Sequence, residues 1–296
     1  MLRSWRIGTA FGIGIYIHAT FWLLPLYVVL QSWSRDGLEM VGMWLALLAA
    51  VMGCVVLHEL GHALAARYFG IRTRDITLYP IGGVARLERL SEKPVEELLI
   101  ALAGPAVNVG IAALLFPLVV LLSLPGGLLA FWSTALGFFL VNLLVTNIVL
   151  VGFNLLPAFP MDGGRVLRAI LAMPLGRLRA TEIAAKVGIA IAVLLVAAFF
   201  FLGNTIPIFG SPMMVVIVGL MALMGQQELM MVRHQEAARQ ARQAEAQVLD
   251  ARPILYDVTG APIRPGFSGF LWDGRRGAWV QWHDGRPVAV YGAGSE

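Results

Sequence analysis

The 296-residue chain is 58% hydrophobic and only 14% charged, with a mean hydropathy of +0.77. Soluble domains carry roughly 25% charged residues, so a globular soluble domain is excluded and a polytopic membrane protein is expected. The net charge of +4 and pI near 9.6 do not call for a nucleic-acid partner, because the basic residues collect in loops on one side of the bilayer. The single cysteine, Cys54, excludes an intramolecular disulfide and a cysteine-based zinc cluster.

The chain reads as an all-α membrane protein with about six transmembrane helices, a short membrane-associated β-hairpin and a small β-rich cytoplasmic tail. Six apolar segments are long enough to cross the roughly 30 Å hydrocarbon core: Phe11–Leu30, Val41–Tyr68, Val95–Leu122, Leu128–Val151, Ile183–Leu202 and Met213–Met224. Arg3 and Arg6 precede the first segment as in a signal peptide, but its length and the lack of a small-residue cleavage site favour a retained span. Between the second and third segments, Asp75 to Leu87 places β-branched and aromatic residues around a Pro-Ile-Gly-Gly turn, which predicts a hairpin. After Gly225 the composition shifts. Residues 226–251 are rich in Gln, Ala, Arg and Glu and read as a cytoplasmic helix or linker. Residues 252–296 carry Asp273-Gly274 and Asp284-Gly285 turns between apolar runs and predict a three-stranded meander. The expected division is thus a transmembrane core over 1–225, a linker over 226–251 and a small β-rich region over 252–296.

Loop charge sets the orientation. Arg3, Arg6, Arg67, Arg72, Arg74, Arg165, Arg168, Arg177, Arg179, Lys186, Arg233, Arg239 and Arg242 all fall on one side of the six-span arrangement. The opposite loops contain one Arg and no Lys. The positive-inside rule then places both termini in the cytoplasm.

His58-Glu59-Leu60-Gly61-His62 lies in the second segment, after a stretch from Val41 to Leu57 without a charge. On a helix the two histidines, four residues apart, share a face and suit one Zn²⁺ per chain, with Glu59 beside them as a general base. His58 lies about 17 residues, or roughly 25 Å, below the outer end of its span, in the cytoplasmic third of the bilayer. Ionisable residues grouped in a membrane segment are costly unless satisfied, which favours a functional site over a chance match.

A catalytic zinc takes a third protein ligand. Asp36 and Glu39 fall on the outer side; Asp75, Glu88, Glu92, Glu96 and Glu97 sit near polar loops; Glu182 is in a basic interfacial stretch. Asp162 alone lies in apolar sequence, after a span that returns to the depth of His62. The alternative is that Asp162 merely caps a helix. Cys54, Asn108, Asn147 and His18 read as packing or hydrogen-bonding residues rather than ligands.

The His58-Glu-Leu-Gly-His62 motif, with Asn154-x-x-Pro157 leading to Asp162-Gly163, resembles the paired signatures of the site-2 protease family of intramembrane zinc metalloproteases. Gly104-Pro-Ala-Val-Asn108, Pro-Ile-Gly-Gly-Val84 and Gly14-Ile-Tyr-Ile-His18 are supporting matches, and the likeness spans about residues 5 to 225. It implies zinc held by His58, His62 and Asp162, Glu59 as catalytic base, and cleavage of another protein's transmembrane helix in a prokaryotic cell membrane. Asn154 matches the motif and is expected to bind the substrate backbone or to steady the site. Gly82, Gly83 and Val84 of the hairpin are expected to pair with an unwound substrate strand. Many prokaryotic members carry a PDZ domain or cystathionine-synthase-type domains; the tail of about 70 residues after the core is too short for either, so a member without them is expected. The competing class is a non-hydrolytic metal-binding membrane protein or transporter. The sequence leaves the oligomeric state open.

Overall fold

A computed structural model describes residues 4–35, 37–80, 82–89, 91, 93–202, 212–250, 266–274 and 277–292. Ile81 of the predicted hairpin turn, Asp36, Glu92, the 203–211 loop and residues 251–265 of the predicted tail lie outside these. The chain divides into two compact units, Met1–Arg233 and His234–Glu296.

The first unit opens with strands where a helix is expected. β1 (Ser4–Ala10) and β2 (Ile13–His18) precede a short 3₁₀ turn, Ala19–Trp22, and α1 (Leu23–Arg35). The predicted first span, Phe11–Leu30, therefore begins as turn and strand up to His18, and the apolar helix that follows is only Ala19–Trp33. The cause is local. Ile13, Ile15 and Ile17 alternate with smaller or polar residues, which is a strand period, and hydropathy averaged over a window cannot tell that from a helix. Phe11 and Gly12 both have positive φ, 52° and 83°, as a two-residue hairpin turn of the primed type requires.

α2 (Leu38–Tyr68) follows, then β3 (Thr73–Tyr79) and β4 (Gly82–Leu87). The predicted hairpin is thus present, and it belongs to a larger four-stranded sheet of order β1-β2-β3-β4. β2 and β3 are parallel, with Gly14 opposite Asp75 and Ile17 opposite Leu78, and the α1–α2 helical pair forms the long crossover that parallel strands need. The sheet lies on α2. Ile76 packs with Ile13, Leu60 and Ala63, and Leu78 packs with Phe21 and Val55, so the hydrophobic contacts flank the histidine motif on both sides.

α3 (Pro94–Ser123) starts with proline in its first turn and Glu96 and Glu97 beside it, which suits a helix N-terminus. The predicted fourth span is broken. α4 (Gly127–Trp132) ends at Ser133, and α5 (Ala135–Asn154) begins after Thr134, whose Oγ1 accepts from the Gly137 N–H at 2.9 Å. α6 (Asp162–Leu175) and α7 (Arg177–Leu202) are separated by Gly176 at φ 78°. α8 (Pro212–Asp250) takes up the predicted sixth segment and runs on into the second unit.

Among the described residues, four helical stretches are long and apolar enough to cross a membrane: Met40–Tyr68, Pro94–Ser123, Ala135–Asn154 and Arg177–Ala198. Their outward faces carry exposed Val109, Leu114, Phe116, Ile148, Val193 and Leu194, while His58, His62, Asn108, Asn147, Asp162 and Arg168 are buried. Apolar outside and polar inside is the pattern for lipid as solvent, where buried polar groups find partners on neighbouring helices.

In the second unit, β5 (Gly269–Asp273), β6 (Ala278–His283) and β7 (Arg286–Gly292) form an antiparallel meander. Asp284 and Gly285 turn it with φ of 49° and 73°.

Candidate metal centre

α2 supplies His58 and His62 from consecutive turns. Their Nε2 atoms lie 3.1 Å apart, and each is 3.1 Å from Oδ2 of Asp162. The three residues are buried, at 5%, 5% and 8% exposure. A tetrahedral zinc with bonds of about 2.0–2.1 Å holds its ligand atoms roughly 3.3–3.4 Å apart. The observed triangle is close to one face of that tetrahedron, and two imidazoles with one carboxylate are a donor set that zinc accepts. The residues therefore fit the ion.

The other ring nitrogens fix how the imidazoles face. His62 Nδ1 donates to the carbonyl oxygen of Ile100 at 2.7 Å. A carbonyl only accepts, so the proton sits on Nδ1 and the Nε2 lone pair is free. His58 Nδ1 lies 3.2 Å from Oδ1 of Asn108 and is oriented in the same way. Both partners belong to α3. Such outer contacts set tautomer and ligand basicity at metal sites.

Glycines let α2, α3 and α6 come this close. A Cβ on Gly104 would stand on the His62 ring and 2.7 Å from His58 Nε2, and one on Gly61 would lie 2.7 Å from the Ala103 carbonyl oxygen. Asp162 opens α6 after a turn of chain in which the Met161 N–H bonds the Ala158 carbonyl at 3.0 Å. A Cβ on Gly163 would overlap the carbonyls of Leu155 and Leu156, and one on Gly164 would lie 2.7 Å from the Ala158 carbonyl carbon. The Asp-Gly-Gly sequence thus permits the loop to fold over the start of its own helix.

Glu59 is half-buried beside the triangle, beneath β4. Its Oε2 accepts from the Ala85 N–H at 3.1 Å, and a Cβ on Gly83 would sit 2.7 Å from Glu59 Cγ. Gly82, Gly83 and Val84 therefore lie on the strand that covers Glu59, and Val84 is exposed. β4 is an edge of the sheet among the described residues. Asn154 ends α5, half-buried, and makes none of the hydrogen bonds that hold the three ligands.

Four of the acidic residues set aside as ligands have other partners. Asp75 pairs with Arg86, Glu96 with Lys93, Glu97 with Arg168 and Glu182 with Arg233. Asn147 donates to Cys54 Sγ at 3.5 Å, across α5 and α2. His18 Nδ1 accepts from the Thr20 N–H at 3.3 Å and caps the 3₁₀ turn. Arg168, which by sequence counts among the one-sided loop charges, is instead fully buried. Asn108, which by sequence reads as a packing residue, holds a ligand; its spacing of four from Gly104 on one helix face is the signal that points to it.

The model for peptidase family M50 matches residues 46–131 and 129–195. A zinc metalloprotease of Methanocaldococcus jannaschii is 37% identical over 197 residues, covering 66% of this chain and 53% of that protein. Stage IV sporulation protein FB of Bacillus subtilis is 26% identical over 185 residues, covering 61% and 56%. The chain thus spans about half the length of these curated relatives. Among solved structures, the site-2 protease from M. jannaschii superimposes with a TM-score of 0.54 at 32% identity, over 77% of this chain and 95% of that one. A family match that takes in the histidine motif and Asp162 alike, together with a solved relative covered almost end to end, establishes that the chain belongs to peptidase family M50, the site-2 protease family that its motifs resemble.

Proposed function

We propose that this protein is a zinc endopeptidase that hydrolyses a peptide bond within or near a transmembrane helix of another membrane protein. The observation that carries this reading is the triangle of His58, His62 and Asp162 donor atoms, 3.1 Å on each side, set among apolar helices with Glu59 alongside. The M. jannaschii relative named as a zinc metalloprotease supports the same chemistry.

Zinc held by those three residues would supply a Lewis acid and lower the pKa of water towards about 7. Glu59, whose Oε2 is steadied by the Ala85 N–H, takes the proton of the attacking water and passes it to the leaving amine. A helical substrate hides its carbonyls in its own hydrogen bonds and must unwind first. The edge of β4 from Gly82 to Val84 lies over Glu59 and offers backbone groups to an extended strand. Asn154 is assigned to the substrate backbone on the strength of its motif.

The site lies in the cytoplasmic third of the bilayer, with both termini cytoplasmic. Arg67, Arg72 and Arg74 follow the histidine motif at the end of α2, the side the positive-inside rule assigns to the cytoplasm. β2 pairs with β3, and Arg67 donates to the Phe11 carbonyl at 3.0 Å, so the first strands share that side.

The test is cleavage of a fluorescent transmembrane-helix substrate in bilayers by wild type and E59Q, with bound zinc measured alongside. E59Q should keep its zinc and lose about 10²- to 10⁴-fold in rate, the usual contribution of a positioned base. An E59Q protein that cleaves at the wild-type rate refutes the assignment. A metal-transport activity unaffected by E59Q would instead support the non-hydrolytic reading.

A further inference from the structure

Arg168 is the largest fully buried side chain among the described residues, and the hydrolysis itself gives it no task. Its Nε and Nη2 donate to Oε1 of Glu97 on α3, the first at 2.9 Å, and its Nη1 donates to Oε1 of Glu228 on α8. Its guanidinium carbon stands 5.1 Å from the centre of the Phe159 ring. Phe159, itself buried, lies three residues before Asp162 in the loop that leads to it. One side chain thus joins α3, α6, α8 and the ligand loop.

The join matters because of where α3 sits. The ligands come from α2 and α6, and both helices pack on α3. Between Glu97 and Gly104, α3 holds Arg168 through Glu97, orients His62 through the Ile100 carbonyl, and meets both imidazoles at Gly104. The distance from Asp162 to the histidines is therefore set through this stretch of α3, and Arg168 is the charged pin that fixes α6 to it.

Arginine suits the task. It stays charged when buried, and its planar fork reaches two carboxylates at once, which the single ammonium of lysine does not do with the same geometry. Removing one partner of a buried charge network leaves uncompensated charge, so the three groups act as a unit.

We propose that Arg168, clamped by Glu97 and Glu228, is a positioning residue that holds Asp162 at coordinating distance from His58 and His62. The inference rests on the metalloprotease reading above. Because Glu228 is on α8, the helix that continues into the second unit, the clamp also makes the ligand geometry depend on α8.

The test uses the full chain in detergent, stripped of metal and titrated with zinc against a chelating dye, with thermal melting followed in parallel. R168K keeps the charge but not the fork; E228Q keeps an accepting oxygen but not the charge. Each should weaken zinc binding by about tenfold or more, in the range seen when partners behind metal ligands are changed, while E59Q should fall well short of that loss because Glu59 is no ligand. Cleavage by R168K and E228Q should be low at limiting zinc and recover when zinc is in excess. If R168K does not fold, E228Q, whose side chain is 18% exposed, decides the matter. A folded variant with the wild-type zinc affinity overturns the positioning role, whatever its melting temperature. A wild-type chain that binds no zinc is a different result, because it removes the metalloprotease reading together with the clamp.

Discussion

The two halves of the metal centre are built by different means. His58 and His62 come from consecutive turns of one helix, so a single local structure sets their separation. Asp162 lies 100 residues after His62 and is placed by a folded loop, two glycines and the packing of α6 on α3 and α7. The first half needs α2 to be helical and α3 beside it to orient the rings. The second needs most of the first unit to be folded. Precision at the zinc is limited by the half with more joints.

Removing one ligand from each half gives the largest expected effects. H62A and D162A should each weaken zinc by more than the roughly 100-fold that marks the upper end for outer contacts, as read by equilibrium dialysis. D162A should retain the greater residual affinity, because the oriented imidazole pair survives it. Equal residual affinity for the two variants would mean that the imidazole pair of α2, oriented by α3, does not preform a site.

G104A comes next. The added methyl would stand on His62 and press on His58, so α2 and α3 must part or the rings must turn. Overpacking of this kind costs about 1–3 kcal/mol. A lower melting temperature with zinc binding impaired is expected, and a variant with normal zinc content would show that the helices yield more than their packing suggests.

N108A should have the smallest effect of the set. It leaves all three ligands and frees only the His58 ring, so a loss of about 10- to 100-fold in zinc affinity is expected. H62A should exceed it in the same dialysis measurement. If N108A matched H62A, orientation would count for as much as ligation here.

The same division governs what can be read from the sequence. The histidine motif is legible because helix geometry converts a spacing of four into a shared face. Asp162 can be reached by elimination, since few carboxylates stand in apolar sequence. The β3–β4 hairpin announces itself through β-branched residues and a glycine turn. The strand at Ile13–His18 does not, because averaged apolar content is the same in a buried strand and a spanning helix, and the pairing with β3 that buries it lies far along the chain from its hairpin partner β1. Thr134 as a helix start inside the predicted fourth span is hidden for a similar reason: one capping hydroxyl barely changes the averaged hydropathy of its neighbours. Arg168 looks like a cytoplasmic loop charge, and only the fold brings Glu97 and Glu228 to it.

The parallel pairing of β2 with β3 also sets an order of events during synthesis. Gly14 finds its partner at Asp75, so an apolar strand made among the first residues must wait until about 60 more have left the ribosome. At about 5–20 residues per second that is an interval of roughly 3–12 s. During it, Ile13, Ile15 and Ile17 have only β1 beside them, and the sheet that covers Glu59 closes only after α1 and α2 have been made. Nascent chains arrested with β3 still inside the ribosome and with β3 emerged from it should therefore differ sharply in protease protection of β1 and β2.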